Sequence, residues 1–162
     1  MARIVTLRQL VRARAAHARR GSTVVFTNGT FDILHRGHVE YLAAARRMGD
    51  VLVVGLNTDA SIRRIKGKGR PVNRSRDRAA VLAALASVDY VCLFGGDTPL
   101  RMIQRIHPDV LVKGADWKKE QIVGRGVVEA HGGSVRTVRL TPGRSTTRVI
   151  ERILRLHPGR RR

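Results

Sequence analysis

Five short runs of aliphatic and β-branched residues recur along the chain, alternating with segments of helical spacing. The runs are residues 23–27 (TVVFT), 51–56 (VLVVGL), 90–94 (YVCLF), 110–112 (VLV) and 134–140 (SVRTVRL). Residues 37–48, 76–86, 99–106, 121–131 and 146–156 carry apolar side chains at helical intervals, as do residues 7–19 ahead of the first run. Strands that alternate with helices predict a parallel sheet with helices on both faces. Strands apolar throughout, rather than on every second residue, fit a sheet covered on both sides. The expected fold is α/β, a single Rossmann-like domain around a parallel five-stranded sheet. Such sheets bind ligands beyond the carboxyl ends of their strands. The chemistry is therefore sought in the loops after Thr27, Leu56, Phe94, Val112 and Leu140.

A length of 162 residues suits one domain. The expected division is a basic N-terminal helix or extension over residues 1–20, the domain proper over 21–156 and a basic tail over 157–162. No apolar run approaches the ~18 residues of a membrane span, and residues 1–20 carry no secretory pattern. A soluble cytoplasmic protein without a membrane partner is expected. Cys92, the single cysteine, excludes a disulfide framework and sits in an apolar run, where it reads as core.

The charge is unusual: 32 Lys+Arg face 12 Asp+Glu, a net charge of +20. Such an excess points to an anionic partner. It is concentrated at both ends and in residues 61–78, where eight basic residues face Asp77 alone. Only 4% of residues are aromatic, which is poor in stacking platforms for single strands, so no specific nucleic acid is expected. Residues 64–73, basic and glycine-rich, read as a mobile loop.

The loop after the first run is the richest in chemistry: Thr27-Asn28-Gly29-Thr30-Phe31-Asp32-Ile33-Leu34-His35-Arg36-Gly37-His38. It leaves a strand, turns at Asn28-Gly29 and enters a helix near Gly37. Helix N-termini attract anions, and Gly37 lets a phosphate approach the backbone. His35 and His38, three apart, share one side of a turn and can donate to phosphate oxygens. Two histidines fall short of a zinc ligand set, and no metal held by protein side chains is expected. Neither a Walker A loop nor a dinucleotide fingerprint is present.

GTFDILHRGH resembles the signature of the cytidylyltransferase-like nucleotidyltransferases. VKGADW at 112–117 and GRSTTRVI at 143–150 resemble two further segments of that family, at matching spacing over residues 21–154. The runs GRPVN, DRAAVLAALASVDYV, HPDVLVKGADW and VVEAHGGSVRTVRL are similar to its branch that adenylylates D-glycero-β-D-manno-heptose 1-phosphate. The chain is too short to hold a sugar kinase as well, which suggests the stand-alone form. The resemblance implies direct in-line attack by a sugar phosphate on the α-phosphorus of ATP. It further implies Mg²⁺ with the ATP, and a homodimer.

By match to the family motifs, His35, His38, Lys66 and Lys68 would be catalytic. Thr30, Phe31, Gly37, Lys113, Gly114, Asp116, Ser145, Thr146 and Thr147 would bind the nucleotide, and Arg78 the acceptor phosphate. Asp32 is a weaker candidate for holding the loop or orienting a histidine. Trp117 either anchors its loop or stands near the base. Glycerol-phosphate cytidylyltransferases carry R-T-E-G-I-S-T-T where this chain has Leu140 to Thr147, so their arginine becomes Leu140. That departure leans toward adenine, with Arg139 or Arg144 as possible substitutes. Glycerol-3-phosphate cytidylyltransferase, FMN adenylyltransferase and a non-catalytic nucleotide- or nucleic-acid-binding module stay open as alternatives.

Overall fold

Every second residue of the central strands points to the same hydrophobic layer. Leu52, Val54 and Leu56 enter one cluster, with Tyr41, Leu42, Ala45, Ala79 and Leu82. Val51 and Val53 enter the other, with Leu10, Met102, Ile103, Ile106 and Val128. This two-sided burial is the period of 2 of a pleated strand with helices above and below it. The structure, a computed structural model, describes residues 2–158. Residues 159–162 of the expected basic tail lie outside the described residues.

The order along the chain is β1 (Arg3–Val5), α1 (Leu7–Arg19), β2 (Val24–Gly29), α2 (Arg36–Arg46), β3 (Val51–Asn57), α3 (Asp59–Lys66) and α4 (Ser75–Ala83). There follow β4 (Tyr90–Phe94), α5 (Leu100–Ile106), β5 (Val110–Gly114), α6 (Arg125–Ala130), β6 (Ser134–Val138) and α7 (Thr146–Leu156). The sheet is parallel throughout, in the order β1-β4-β3-β2-β5-β6. It has six strands, one more than the five expected. The additional strand is β1, whose Ile4 pairs with Val91 of β4. Of its three residues only Val5 is buried, too little pattern to signal a strand. Residues 1–20 thus contribute an edge strand and α1, a helix seated on the sheet through Leu10.

Helix α3 was not expected either. It is capped by the Thr58 hydroxyl, which accepts from the Ser61 N–H, and buries only Ser61 and Ile62. The basic loop read as mobile is shorter than expected, because α3 runs to Lys66. Its far end is anchored: the Val72 and Asn73 N–H groups donate to the Asp32 carboxylate at 2.8 and 2.9 Å. Among the described residues no helix is long and apolar enough to cross a membrane.

Candidate active site

The chain reverses its direction of travel across the sheet at β2, with β3 and β4 on one side and β5 and β6 on the other. Connections leaving neighbouring strands toward opposite sides open a crevice at the strands' carboxyl ends. The ends concerned are Asn28-Gly29 of β2 and Lys113-Gly114 of β5. They are bridged by the Lys113 ammonium, which donates to Asn28 Oδ1 at 2.6 Å.

His35 is the N-cap of α2 and makes no side-chain cap hydrogen bond, which leaves the helix's first N–H groups to face an anion. Its ring stacks on that of His38, with centroids 3.7 Å apart and planes 18° from parallel. Phe31 closes the other side of His38, edge to face at 5.1 Å. Nδ1 of both histidines is buried without a partner. Buried polar atoms are nearly always paired, so two orphans side by side mark a place kept for a ligand. Burial, and then the neighbouring His35, pushes His38 down to about 4. Burial and the Arg144 charge lower His35 as well. Both rings are therefore neutral near pH 7, each with one donor and one acceptor nitrogen. Gly37 keeps this corner open, because a Cβ there would lie 3.1 Å from the Arg144 Cβ and 3.2 Å from His35 Nδ1 and would push one of them aside.

These groups line one cleft of about 380 Å³. Thr30, Phe31, His35, Gly37 and His38 come from the β2–α2 loop, and Lys66 from the end of α3. Lys113, Gly114 and Asp116 come from the end of β5, and Ser145 and Thr146 from the start of α7. Burial lowers the Lys113 ammonium to about 8 against the opposing pull of Asp116. Ser145 caps α7 by accepting from the Arg148 N–H at 3.2 Å, so its hydroxyl proton remains free for a ligand. The Tyr41 hydroxyl bonds Thr27 at 2.7 Å and the Val112 carbonyl at 3.1 Å, which locks the floor.

Three of the expected residues are placed elsewhere. Lys68 is exposed between Gly67 and Gly69, both in the left-handed region, and does not line the cleft. Thr147 is exposed and also outside it. Arg78 departs furthest from expectation: its side chain is 1% exposed. Its guanidinium donates to the carbonyls of Asn73, Thr30 and Asn57 and to Asp59 Oδ1. Four of its five N–H donors are thus spent on holding the loop ends together.

Other residues were found only in space. Asn28 and Thr141 line the cleft, beside Leu140 and Arg144, which the comparison with the glycerol-phosphate motif had already singled out. Thr141 donates to the Glu40 carboxylate, which is also paired with Arg36 at 2.6 Å, and so ties the α7 loop to α2. Asp32, 1% exposed, accepts from Arg70 at 2.7 Å as well as from Val72 and Asn73. Burial raises its carboxyl, but those donors outweigh it and hold it below the usual range. Trp117 is half exposed over Lys113, 5.7 Å from the ring centroid, and is not a core anchor. The polar types of Asn28, at the carboxyl end of β2, and of Thr141, in the loop after β6, were the one sequence signal available for them.

The family model described as cytidylyltransferase-like matches residues 26–152. The chain is 59% identical over 136 residues to the bifunctional protein HldE of Syntrophotalea carbinolica, covering 84% of this chain and 28% of that protein. It is 52% identical over 156 residues to the bifunctional protein HldE of Geobacter sulfurreducens, covering 96% of this chain and 32% of that protein. The chain thus spans about a third of the length of these relatives. Among solved structures, the lipopolysaccharide core biosynthesis protein from Thermoplasma volcanium GSS1 superimposes with a TM-score of 0.61 at 31% identity, over 75% of this chain and 98% of that one. A crevice at the sheet's reversal point, paired histidines on α2 and hydroxyls opening α7 agree with the extent of these matches: the chain belongs to the cytidylyltransferase-like family of nucleotidyltransferases.

Proposed function

We propose that the chain transfers AMP from ATP to a sugar 1-phosphate, D-glycero-β-D-manno-heptose 1-phosphate. The observation that carries the transfer chemistry is the meeting of two helix N-termini in one cleft, with His35 and His38 on α2 and Ser145 and Thr146 on α7. The choice of sugar rests on the long runs shared with the heptose-phosphate branch. The function in the printed name of the Thermoplasma protein, lipopolysaccharide core biosynthesis, supports it.

An oxygen of the acceptor phosphate attacks the α-phosphorus. The bond from that phosphorus to the bridging oxygen breaks, and pyrophosphate leaves with the electron pair. Such transfer needs positioning and charge neutralisation rather than a protein nucleophile. Cys92 fits that account, since burial raises its thiol to about 11. The histidines donate to phosphate oxygens as charge shifts to the leaving group, and Lys66 adds a cation from the α3 end. Lys113 and Asp116 hold the nucleoside end. Mg²⁺ bound to the triphosphate would neutralise phosphate oxygens and keep most of its waters. The cleft offers such a carried ion one carboxylate, Asp116, and the hydroxyls of Ser145 and Thr146. A homodimer working in the cytoplasm completes the proposal.

The test is pyrophosphate release with ATP or CTP, each against heptose 1-phosphate, glycerol 3-phosphate and FMN. Turnover with ATP and heptose 1-phosphate supports the reading, and turnover with CTP and glycerol 3-phosphate alone refutes it. Trp117, the single tryptophan, reports nucleotide binding separately by fluorescence.

A further inference from the structure

A second cleft, of about 600 Å³, opens beside the first along α7. Its charged lining is Arg36, Arg144, Arg148, Arg152 and Arg155, with Glu151 as the one acid. Arg36 is paired with Glu40. Among the described residues, no carboxylate lies within salt-bridge distance of Arg144, Arg148, Arg152 or Arg155. Four guanidiniums without a salt-bridge partner, against Glu151 in the same lining, leave the concavity net positive and favour an anion. Arg148, Arg152 and Arg155 stand at intervals of four and three, on one face of the helix. At 1.5 Å per residue they span about 10 Å along its axis.

That span selects the ligand. Two phosphates sharing one oxygen are too short to reach all three arginines. In duplex geometry a strand advances about 3.4 Å per phosphate along the axis, so about three such steps, four phosphates, match the row. No Phe, Tyr or Trp lines this cleft, and its one ring, His35, is already stacked on His38. We propose that the α7 arginine cleft binds a linear chain of phosphates, longer than pyrophosphate, through its charges alone. Inorganic polyphosphate and the backbone of a polynucleotide share that chemistry. His35, Arg144 and Ser145 line both clefts. A chain seated along α7 therefore excludes the triphosphate, a consequence that rests on nucleotide binding in the first cleft.

The test measures binding of inorganic polyphosphate, a labelled single-stranded oligonucleotide and pyrophosphate to the whole protein. At least one of the two chains binds ten-fold or more tighter than pyrophosphate. The double variant R152A/R155A, outside the first cleft, weakens that binding at least ten-fold and lowers the salt slope by about 1.4, two lost contacts at 0.7 each. The charge-matched control R8A/R12A, on exposed positions of α1, changes it less than two-fold. Equal losses in both double variants, or chains binding no tighter than pyrophosphate, would overturn the proposal. The arm that binds identifies the source as polyphosphate or polynucleotide. ATP displaces the bound chain in the same assay, and simultaneous binding of both without mutual weakening overturns the exclusion. If ATP alone fails to bind wild-type protein, as read by Trp117, the proposed function fails while the chain-binding comparison still stands.

Discussion

His35 and His38 lie ring on ring, 3.7 Å between centroids, each with a buried Nδ1 that no protein atom satisfies. Burial and repulsion by neighbouring positive charge keep both rings neutral in the absence of an anion. A triphosphate beside them favours the charged forms and supplies the missing acceptor. Replacing either with alanine removes one preorganised donor and lowers kcat by roughly 10²-fold or more. Steady-state pyrophosphate release measures this. Wild-type turnover in both variants would remove the pair from the mechanism.

The same burial makes stability depend on pH. His38 is depressed from 6.5 to about 4 in the fold. Between those values the unfolded chain binds a proton that the native one refuses, so stability rises with pH through that window. The contribution is complete above about 6.5 and is lost as pH falls toward 4. Thermal melts from pH 4 to 7 show this slope in the wild type. His38→Gln, neutral throughout, shows a shallower one, and identical slopes would contradict the assignment.

Lys113 predicts an alkaline limit. Its ammonium, lowered to about 8 by burial, loses charge as pH rises through that value. Nucleotide affinity followed by Trp117 fluorescence therefore falls above pH 8. In Lys113→Arg, whose side chain stays protonated, the fall disappears. A limb near 8 that persists in the arginine variant assigns it to another group.

Arg78 separates a structural from a substrate role. Alanine there removes the donor from the buried Asn57 carbonyl and from the part-buried Thr30, Asn73 and Asp59 acceptors, and one buried acceptor left unpaired costs about 1–3 kcal/mol. Chemical denaturation is expected to show a loss of that size. Unchanged stability with only a raised KM for the acceptor would restore the phosphate-binding role.

Asp32 fastens the far end of the basic loop to the histidine loop through Val72, Asn73 and Arg70. Asp32→Asn keeps the shape but turns an acceptor oxygen into a donor facing donors. Limited proteolysis after Lys68 is expected to accelerate, and kcat to fall as Lys66 loses its fixed position. An unaltered cleavage rate would show that the loop is held by other contacts.

Residue spacing and motif were enough to read the layered α/β class, the strand carrying the histidine loop and most of the cleft lining. Uninterrupted aliphatic runs and a ten-residue motif are local signals, and local spacing is legible without coordinates. Strand β1 was not legible, since one buried residue in three carries no period. The fate of Arg78 was hidden for a different reason. An arginine expected to bind the acceptor phosphate became the fully buried tie between three segments, because its partners lie 5 to 48 residues away in sequence. The arginine row on α7 was visible as spacing, but that it borders a cavity sharing a wall with the histidines is a fact of packing. Residue types and intervals set which groups are available. Only the crossovers of the sheet decided which of them are desolvated, which are neutralised and which are left to meet a ligand.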